Sequence, residues 1–449
     1  MNTGRRNRGS TSTLPARLLD RVTPAFARFL RIEAAGGTVL LAFTLAAVAL
    51  SNSAWATAFS QLWEIPLGLH FGEVDFSRSL HAWINDGLMT LFFFLVALEL
   101  KRELVLGEMG SPRMAALSIA AALGGMAVPA ALYSLLQWNA PGQSGWGIVM
   151  ATDTAFVIAC LALLGPRVPH SLRAFMLFLA IADDIGAILV VAIGYSHQMD
   201  WRMLALAACF LLLLRMAAAA GVRSIPVYCL IGAAVWLAID ASGIHATLTG
   251  VALGLMTPAR RWVDDVRLYA ILDRVVAYPS GNEGSGDTRD RATLRLAERA
   301  ARESLSPVER LLMALHPWVT FGVMPLFAFA NAGVKLAWTG IDSALATAVF
   351  LGFAVGKPAG VLLFCWLALR IGIATRPPGL DWRLLAGGSL LAGIGFTMAL
   401  FIAHLAIAPA LMDSAKMGIF LASLFSAAAG LALLALRRPP AARSGRAGG

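Results

Sequence analysis

Charge is scarce in this chain. Only 14% of its 449 residues are Asp, Glu, Lys or Arg and 58% are hydrophobic, giving a mean hydropathy of +0.72. A soluble domain carries about 25% charge and 45–50% apolar residues, so a water-soluble globular protein is excluded. The long apolar stretches lack strand-like alternation. That removes a closed barrel, the other architecture that satisfies its own backbone in lipid. Cysteine is nearly missing. Cys160, Cys209, Cys229 and Cys365 fall in apolar stretches with no Cys-x-x-Cys pair, which predicts small buried hydrophobes and neither a disulfide framework nor a metal-ligand set. There is no phosphate loop and no metal-ligand cluster, so neither a soluble enzyme nor a cofactor is expected. No apolar region follows Arg5-Arg6 closely, which argues against a signal peptide. Lysine is confined to positions 101, 335, 357 and 416, and arginine supplies the rest of the 36 basic residues.

The apolar residues gather in runs of mostly about 18–25 residues, enough to cross a bilayer of about 30 Å as helices. Twelve spans are expected, near 35–53, 83–100, 114–137, 146–164, 172–194, 202–219, 225–240, 243–257, 316–334, 344–369, 385–408 and 416–436. The two between 225 and 257 are short and closely joined. The fold class is therefore an all-α polytopic membrane protein. A net charge of +10 and a pI of about 10.1 would suggest nucleic acid in a soluble protein, but no basic stripe is interleaved with surface aromatics. The arginines flank spans instead: before the first, after the second, fourth, sixth and tenth, and at the C-terminus. Such alternation fits an even number of spans with both termini in the cytoplasm. Residues 1–31 read as a polar, basic cytoplasmic arm, 32–436 as the transmembrane domain and 437–449 as a basic tail. Within the domain, 258–312 form a long cytoplasmic loop with a flexible part at 279–286. Ser306-Pro307-Val308-Glu309 resembles a helix start, with Ser as cap and Pro in first position.

Ionisable residues inside these spans stand out, because even lenient insertion scales charge roughly 2.5–3.5 kcal/mol for each at a helix centre. Asp183 and Asp184 sit in the middle of the run 175–194, Asp153 in Ala-Thr-Asp-Thr-Ala-Phe, and Lys357 in Val-Gly-Lys-Pro-Ala-Gly. Three acids and a base at membrane depth read as an ion or proton pathway. Neighbours on a helix point about 100° apart, so one of the aspartate pair should line the path while the other turns toward a neighbouring helix. A carboxyl group taken out of water holds its proton more tightly, and a second carboxylate beside it adds to the effect. Once deprotonated, such a site offers hard oxygens to a small cation, so protons and cation compete for the same atoms. Lys357 is the natural partner of whichever aspartate turns away, and Pro358 should kink or interrupt the helix there. If the chain unwinds at Thr152-Asp153-Thr154, half-helix ends meet at membrane depth. Asp153 would then neutralise their positive ends or, second, ligate the ion. Glu99 and Glu103 end the second span as a solvated cluster or a cation-collecting funnel. His245 lies near a span end, as a satisfied helix-end group or a switch. Spans four and eleven both break their helical pattern, and Gly124-Gly-Met-Ala-Val-Pro129 faintly echoes Gly356-Lys-Pro358.

Nine segments together resemble the bacterial NhaA family of sodium/proton antiporters: Trp83-Ile-Asn-Asp86, Leu98-Glu-Leu-Lys-Arg-Glu103, Ala151-Thr-Asp-Thr-Ala-Phe156, Ala180-Ile-Ala-Asp-Asp-Ile-Gly-Ala187, Gly243-Ile-His-Ala-Thr-Leu248, His316-Pro-Trp318, Phe327-Ala-Phe-Ala-Asn-Ala-Gly333, Gly356-Lys-Pro358 and Gly393-Ile-Gly-Phe-Thr-Met398. They occur in the family's order over about residues 30–436. The resemblance implies inverted repeats with two interrupted helices crossing at mid-membrane. It also implies an exchanger of the bacterial inner membrane that expels one Na⁺ or Li⁺ for two H⁺. It makes Asp184 the main cation and proton site with Asp183 beside it (together the Na⁺ ligands), pairs Lys357 with Asp183, and puts Asp153 and Thr152 at the crossing. It associates Glu99, Glu103 and His245 with pH response, and suggests a hairpin at 61–80 that joins a homodimer. The chain departs from the family pattern in a longer loop before His316 and in Leu312, where an acidic residue is expected; Glu309 is nearby. These departures bear on alkaline activation and leave the ion-site motifs intact. The main alternative is a proton-coupled organic-solute transporter using the same aspartates, which would want more aromatic or arginine recognition groups. A channel lacks a filter-like segment, and an intramembrane aspartyl protease would need its two aspartates on separate helices.

Overall fold

The computed structural model describes residues 33–71, 74–106, 112–195, 199–220, 225–259, 269–271, 295, 298, 305–335 and 341–436. The N-terminal arm, the 279–286 segment and the basic tail lie outside the described residues.

Each of the twelve apolar stretches carries helix. The elements are α1 (Glu33–Ser51), α2 (Ala56–Glu64), α3 (Leu80–Val105), α4 (Pro112–Leu136), α5 (Thr154–Leu163), α6 (His170–Gly194), α7 (Trp201–Ala219), α8 (Ile225–Ala241), α9 (Leu248–Met256), α10 (Pro307–Asn331), α11 (Ser343–Ile371), α12 (Trp382–Ala392), α13 (Phe396–Ala406) and α14 (Met412–Ala435). A 3₁₀ segment, Gln143–Met150, precedes α5. Among the described residues, eight helices are long and apolar enough to cross a membrane, or up to ten if the bent pairs α1–α2 and α12–α13 each count as one span. The two short, closely joined spans resolve into α8 and the nine-residue α9. At 1.5 Å per residue α9 reaches only about 14 Å, because Ser242–Thr247 form a turn, with Gly243 at φ +81°, ahead of it.

Strand occurs, among the described residues, in one hairpin: β1 (Pro66–Phe71) pairs antiparallel with β2 (Val74–Ser79), from Pro66 opposite Ser79 to Phe71 opposite Val74. It falls inside the expected 61–80 segment. Arg78 pins it to the helices, with ion pairs to Asp86 of α3 (3.1 Å) and to Asp240 of α8.

Local chemistry accounts for the helix ends. Asp200, Asp342 and Asp381 accept backbone N–H groups at the starts of α7, α11 and α12, satisfying donors that a helix leaves unpaired. Ser306 and Glu309 close a full capping box, so α10 begins at Pro307 and residues 307–312 are already helical, earlier than the span expected from 316 and inside the loop expected to run to 312. The Glu309 carboxylate accepts from the Ser306 N–H and O–H. Leu312 is buried in the core. Glu309 is therefore engaged in the cap. Pro358 does not interrupt α11. The turn before it, Gly352–Gly356, widens to a π-turn, which moves the carbonyl that the proline ring would strike.

Small residues set the closest approaches. A methyl group on Gly360 would lie 2.1 Å from the Gly124 carbonyl oxygen, and one on Gly124 would lie 2.2 Å from the Gly360 oxygen. Gly356 packs on Pro129 in the same way, so α4 and α11 run antiparallel in backbone contact. The two segments that echo each other in sequence are the two that touch. At the periphery, α7 and α8 pack mainly on each other. Cys209 and Cys229, which the sequence suggested were buried, are exposed there, while Cys160 and Cys365 are buried. An apolar environment suits them on either side, since these helices turn an apolar surface outward.

Gly360→Val is expected to destabilise the fold by at least the cost of overpacking, about 1–3 kcal/mol, because the colliding atom is backbone. A lowered unfolding temperature in detergent micelles, with Gly322→Val as the control that meets open space, would check this.

Candidate ion-binding site

Both broken spans break where they cross. The chain leaves the 3₁₀ segment at Met150, runs extended through Ala151, Thr152 and Asp153, and re-enters helix at Thr154. The partner span breaks between Ala392 and Phe396. Asp153 N–H donates to the Ile394 carbonyl at 2.7 Å, and Ser144 Oγ donates to the Ala406 carbonyl at 2.6 Å, so the two spans run antiparallel. Four helix ends thus meet inside the protein, two rich in N–H donors and two in carbonyls. Apolar surroundings make each unsatisfied group costly.

Four side chains meet that demand. Asp153 caps both positive ends: Oδ1 accepts from Phe156 N at 3.2 Å, and Oδ2 accepts from Thr397 N at 3.0 Å and from the Thr397 hydroxyl. Lys357 Nζ donates to the Met150 carbonyl at the end of the 3₁₀ segment. Thr152 Oγ1 lies 3.0 Å from the Ala392 carbonyl, which ends α12, and 2.6 Å from Asp183 Oδ2. Ser423 of α14 adds a contact to Phe396 N. All of these polar groups are buried.

The aspartate pair divides as its helical geometry demands. Asp183 turns to the crossing and forms an ion pair with Lys357, Oδ2 to Nζ 3.0 Å, while its Oδ1 is buried without a partner. Asp184, about 100° around α6 and 5% exposed, makes no hydrogen bond or ion pair with any described residue. One carboxylate is held; the other is bonded to no described residue. Thr154 Oγ1, also buried and unpartnered, adds a further oxygen beside Asp153.

Of the residues singled out in the sequence, Asp153, Thr152, Asp183 and Lys357 form one bonded cluster, with Asp184 at its edge. Glu99 lies within electrostatic reach of Asp184 and of Arg102. Glu103 has a buried Oε1 with no partner. His245 is elsewhere. Its Nε2 is 3.0 Å from the Tyr195 carbonyl past the end of α6. Gly250 and Gly254 pack on Thr90 and Ala97, so α9 runs parallel to α3 and the preceding His245 stands at the level of that helix's start. Glu99 and Glu103 stand at its other end. Sequence reasoning missed Thr397 as a site residue, although its motif was recognised, and it missed Lys416, whose Nζ donates to the Gly333 carbonyl at 3.0 Å. The signal available for Lys416 was its presence in an arginine-rich chain, inside the last span.

Comparison with known proteins is consistent along the whole chain. The family model described as Na⁺/H⁺ antiporter 1 matches residues 27–434. The Na⁺/H⁺ antiporter NhaA of Rhizobium meliloti is 57% identical over 431 residues, covering 96% of this chain and 99% of the relative. NhaA 3 of Acidiphilium cryptum is 56% identical over 453 residues, covering 100% and 99%. NhaA of Rhodopirellula baltica is 47% identical over 430 residues, covering 96% and 98%.

Lys357→Ala would leave Asp183 as an uncompensated buried charge and the Met150 carbonyl unserved, at a cost of about 3–5 kcal/mol. Adding Asp183→Asn should recover part of that loss. Unfolding temperatures of the two single variants and the double variant form the cycle that checks it; strictly additive losses would contradict the pairing.

Proposed function

The chain belongs to the Na⁺/H⁺ antiporter 1 family, and on that premise we propose that it exchanges Na⁺, or Li⁺, for H⁺ at the Asp183–Asp184 pair. The observation that carries this reading is the unpartnered Asp184 carboxylate beside an anchored Asp183, at the crossing of two broken helices. An ionised Asp184, together with the free Oδ1 of Asp183, offers hard oxygens suited to a small cation. A protonated Asp184 offers none. Cation and proton therefore exclude each other at one place, which couples their movements in opposite directions.

The anchored partner supplies the second proton site in this scheme. Protonating Asp183 removes the charge that holds Lys357, so the ion pair and the helix ends it serves change together. Two H⁺ for each Na⁺ follows if Asp183 and Asp184 both load. The crossing is the natural moving part: four half-helices joined by side-chain bonds rearrange more readily than two continuous spans. Helices this apolar place the chain in a bilayer; family membership supports a bacterial inner membrane, and the arginine pattern supports both termini in the cytoplasm. Glu99 and Glu103 would then form the cytoplasmic funnel leading to Asp184, and His245 a separate response group near the opposite face. The β1–β2 hairpin is the candidate homodimer contact.

The test is ΔpH dequenching in everted membrane vesicles without native antiporters, with NaCl, LiCl or KCl added across pH 6.5–8.5. Na⁺- and Li⁺-dependent dequenching is expected, abolished by Asp184→Asn. Its absence with every cation, in vesicles containing folded protein, would refute the proposal. The apparent KM for Na⁺ is expected to rise as pH falls, since a ligating carboxylate must lose its proton first. A KM independent of pH would show that proton and cation do not share the site.

A further inference from the structure

A second, partly buried polar cluster lies at the hairpin end of the helices, away from Glu99. His81 and Asn85 come from the start of α3, Asn331 from the end of α10, His404 from the end of α13 and Lys416 from α14. Three of them are in mutual polar contact. His81 Nε2 lies 3.1 Å from Asn331 Oδ1, Asn331 Nδ2 donates to Asn85 Oδ1 at 2.8 Å, and Asn85 Nδ2 sits over the His81 ring, 3.3 Å from Nδ1 and 3.4 Å from Nε2. An amide oxygen can only accept and an amide nitrogen can only donate. His81 Nε2 therefore carries a proton, donated to Asn331 Oδ1. A second proton at Nδ1 would put positive charge beneath the Asn85 N–H₂ group, which it repels.

His404 faces His81, ring centroids 4.6 Å apart. Its Nδ1 is buried without a partner, which leaves a lone pair or an N–H unused. Lys416 is the charged side chain bearing on both rings, with Asp413 behind it. Two imidazolium ions this close to each other and to an ammonium repel strongly, so the pair takes at most one proton at a time. Both rings are partly exposed, within reach of water on the hairpin side.

Below this cluster each of three helices places a phenylalanine. Phe93 of α3 and Phe327 of α10 both pack on Phe401 of α13, with centroids 5.4 and 6.4 Å apart, and all three are buried. Along α13, Thr397, Phe401 and His404 fall on one face at i, i+4 and i+7. Thr397 binds Asp153 at the crossing. The order along that face is ion site, aromatic plug, histidine pair. Asn331 also donates to the Phe327 carbonyl at 3.0 Å, tying the polar cluster to the plug.

We propose that His81 and His404 form the proton-exchange station between hairpin-side solvent and the buried aspartates, with Phe93, Phe327 and Phe401 as the closed gate between them. This rests on the antiporter reading above. A proton from hairpin-side water binds an imidazole nitrogen, the charged ring repels the Asn85 N–H₂ group above it, and when the gate opens the proton passes to the aspartate pair, leaving both rings neutral again. The stations on the two faces differ in kind: carboxylates at the Glu99 end, imidazoles at the hairpin end.

The test uses full-length protein in proteoliposomes of defined orientation, with pH set separately on each side over about pH 5–8, spanning histidine's ordinary range. In the His81→Gln/His404→Gln variant, Asp184-dependent Na⁺ exchange is expected to persist. Its dependence on hairpin-side pH should be lost or displaced, and its dependence on pH at the Glu99 side should match the unsubstituted protein. A hairpin-side profile superimposable on the unsubstituted one overturns the proposal. So does an equal slowing at every pH on both sides, which marks a purely structural role. Should the double variant fail to fold, His404→Gln leaves the His81 ring intact; a displaced hairpin-side profile supports the proposal and an unchanged one overturns it. Absence of any cation-dependent exchange in the unsubstituted protein is the distinct result that would remove the antiporter reading itself.

Discussion

Four helix ends meeting in a dry interior is the constraint on which this structure depends. Each end carries about half an elementary charge and several unpaired backbone groups, with no bulk water nearby to satisfy them. Asp153 answers two ends, and Lys357 and Thr152 answer the other two. Lys357 brings a full positive charge to that task, and Asp183 balances it. Asp184 is what remains: a carboxylate placed beside this network by one further residue along α6, and bonded to none of it.

Coupling follows from the same arrangement. The groups that hold the crossing together are the groups a proton or cation would perturb. Loading Asp183 weakens its hold on Lys357, and Lys357 is bonded to the end of the 3₁₀ segment. A change of one charge on Asp183 therefore bears on both broken spans, on one through Lys357 and on the other through Thr152. The glycine contact between α4 and α11 brings backbones too close for side chains to cushion, so that pair moves as a unit or not at all. Rigid antiparallel pairs around a bonded but interruptible crossing are what oppositely oriented repeats would produce.

Adjacent polar layers are separated by ordinary packing. On α13 a single face presents Thr397 at the crossing, then Phe401, then His404. The buried aromatic layer separates the dry polar layer at the crossing, where contacts strengthen for want of water, from the partly exposed one at the histidines. The distinction between Glu99 and His245, grouped by sequence and placed at opposite ends of α3 by structure, has the same origin. Helix α9 is too short to cross and runs parallel to α3, which keeps the histidine at the far end.

Composition and pattern alone determined a great deal. Scarce charge and long apolar runs without alternation leave helical spans as the option, and the cost of an ionised group in lipid marks Asp153, Asp183, Asp184 and Lys357 as candidates for function. Those inferences need only local chemistry. The fold decided which aspartate Lys357 takes, since two neighbours 100° apart are equivalent until a third helix packs against one of them. It turned Pro358 from an expected break into a π-turn, because a packed helix can widen to avoid a ring clash. It joined His81, Asn85, Asn331 and His404, each unremarkable in its own span and as much as 323 residues apart along the chain. A polar cluster drawn from three helices has no signature within any one of them, so only packing brings it into being.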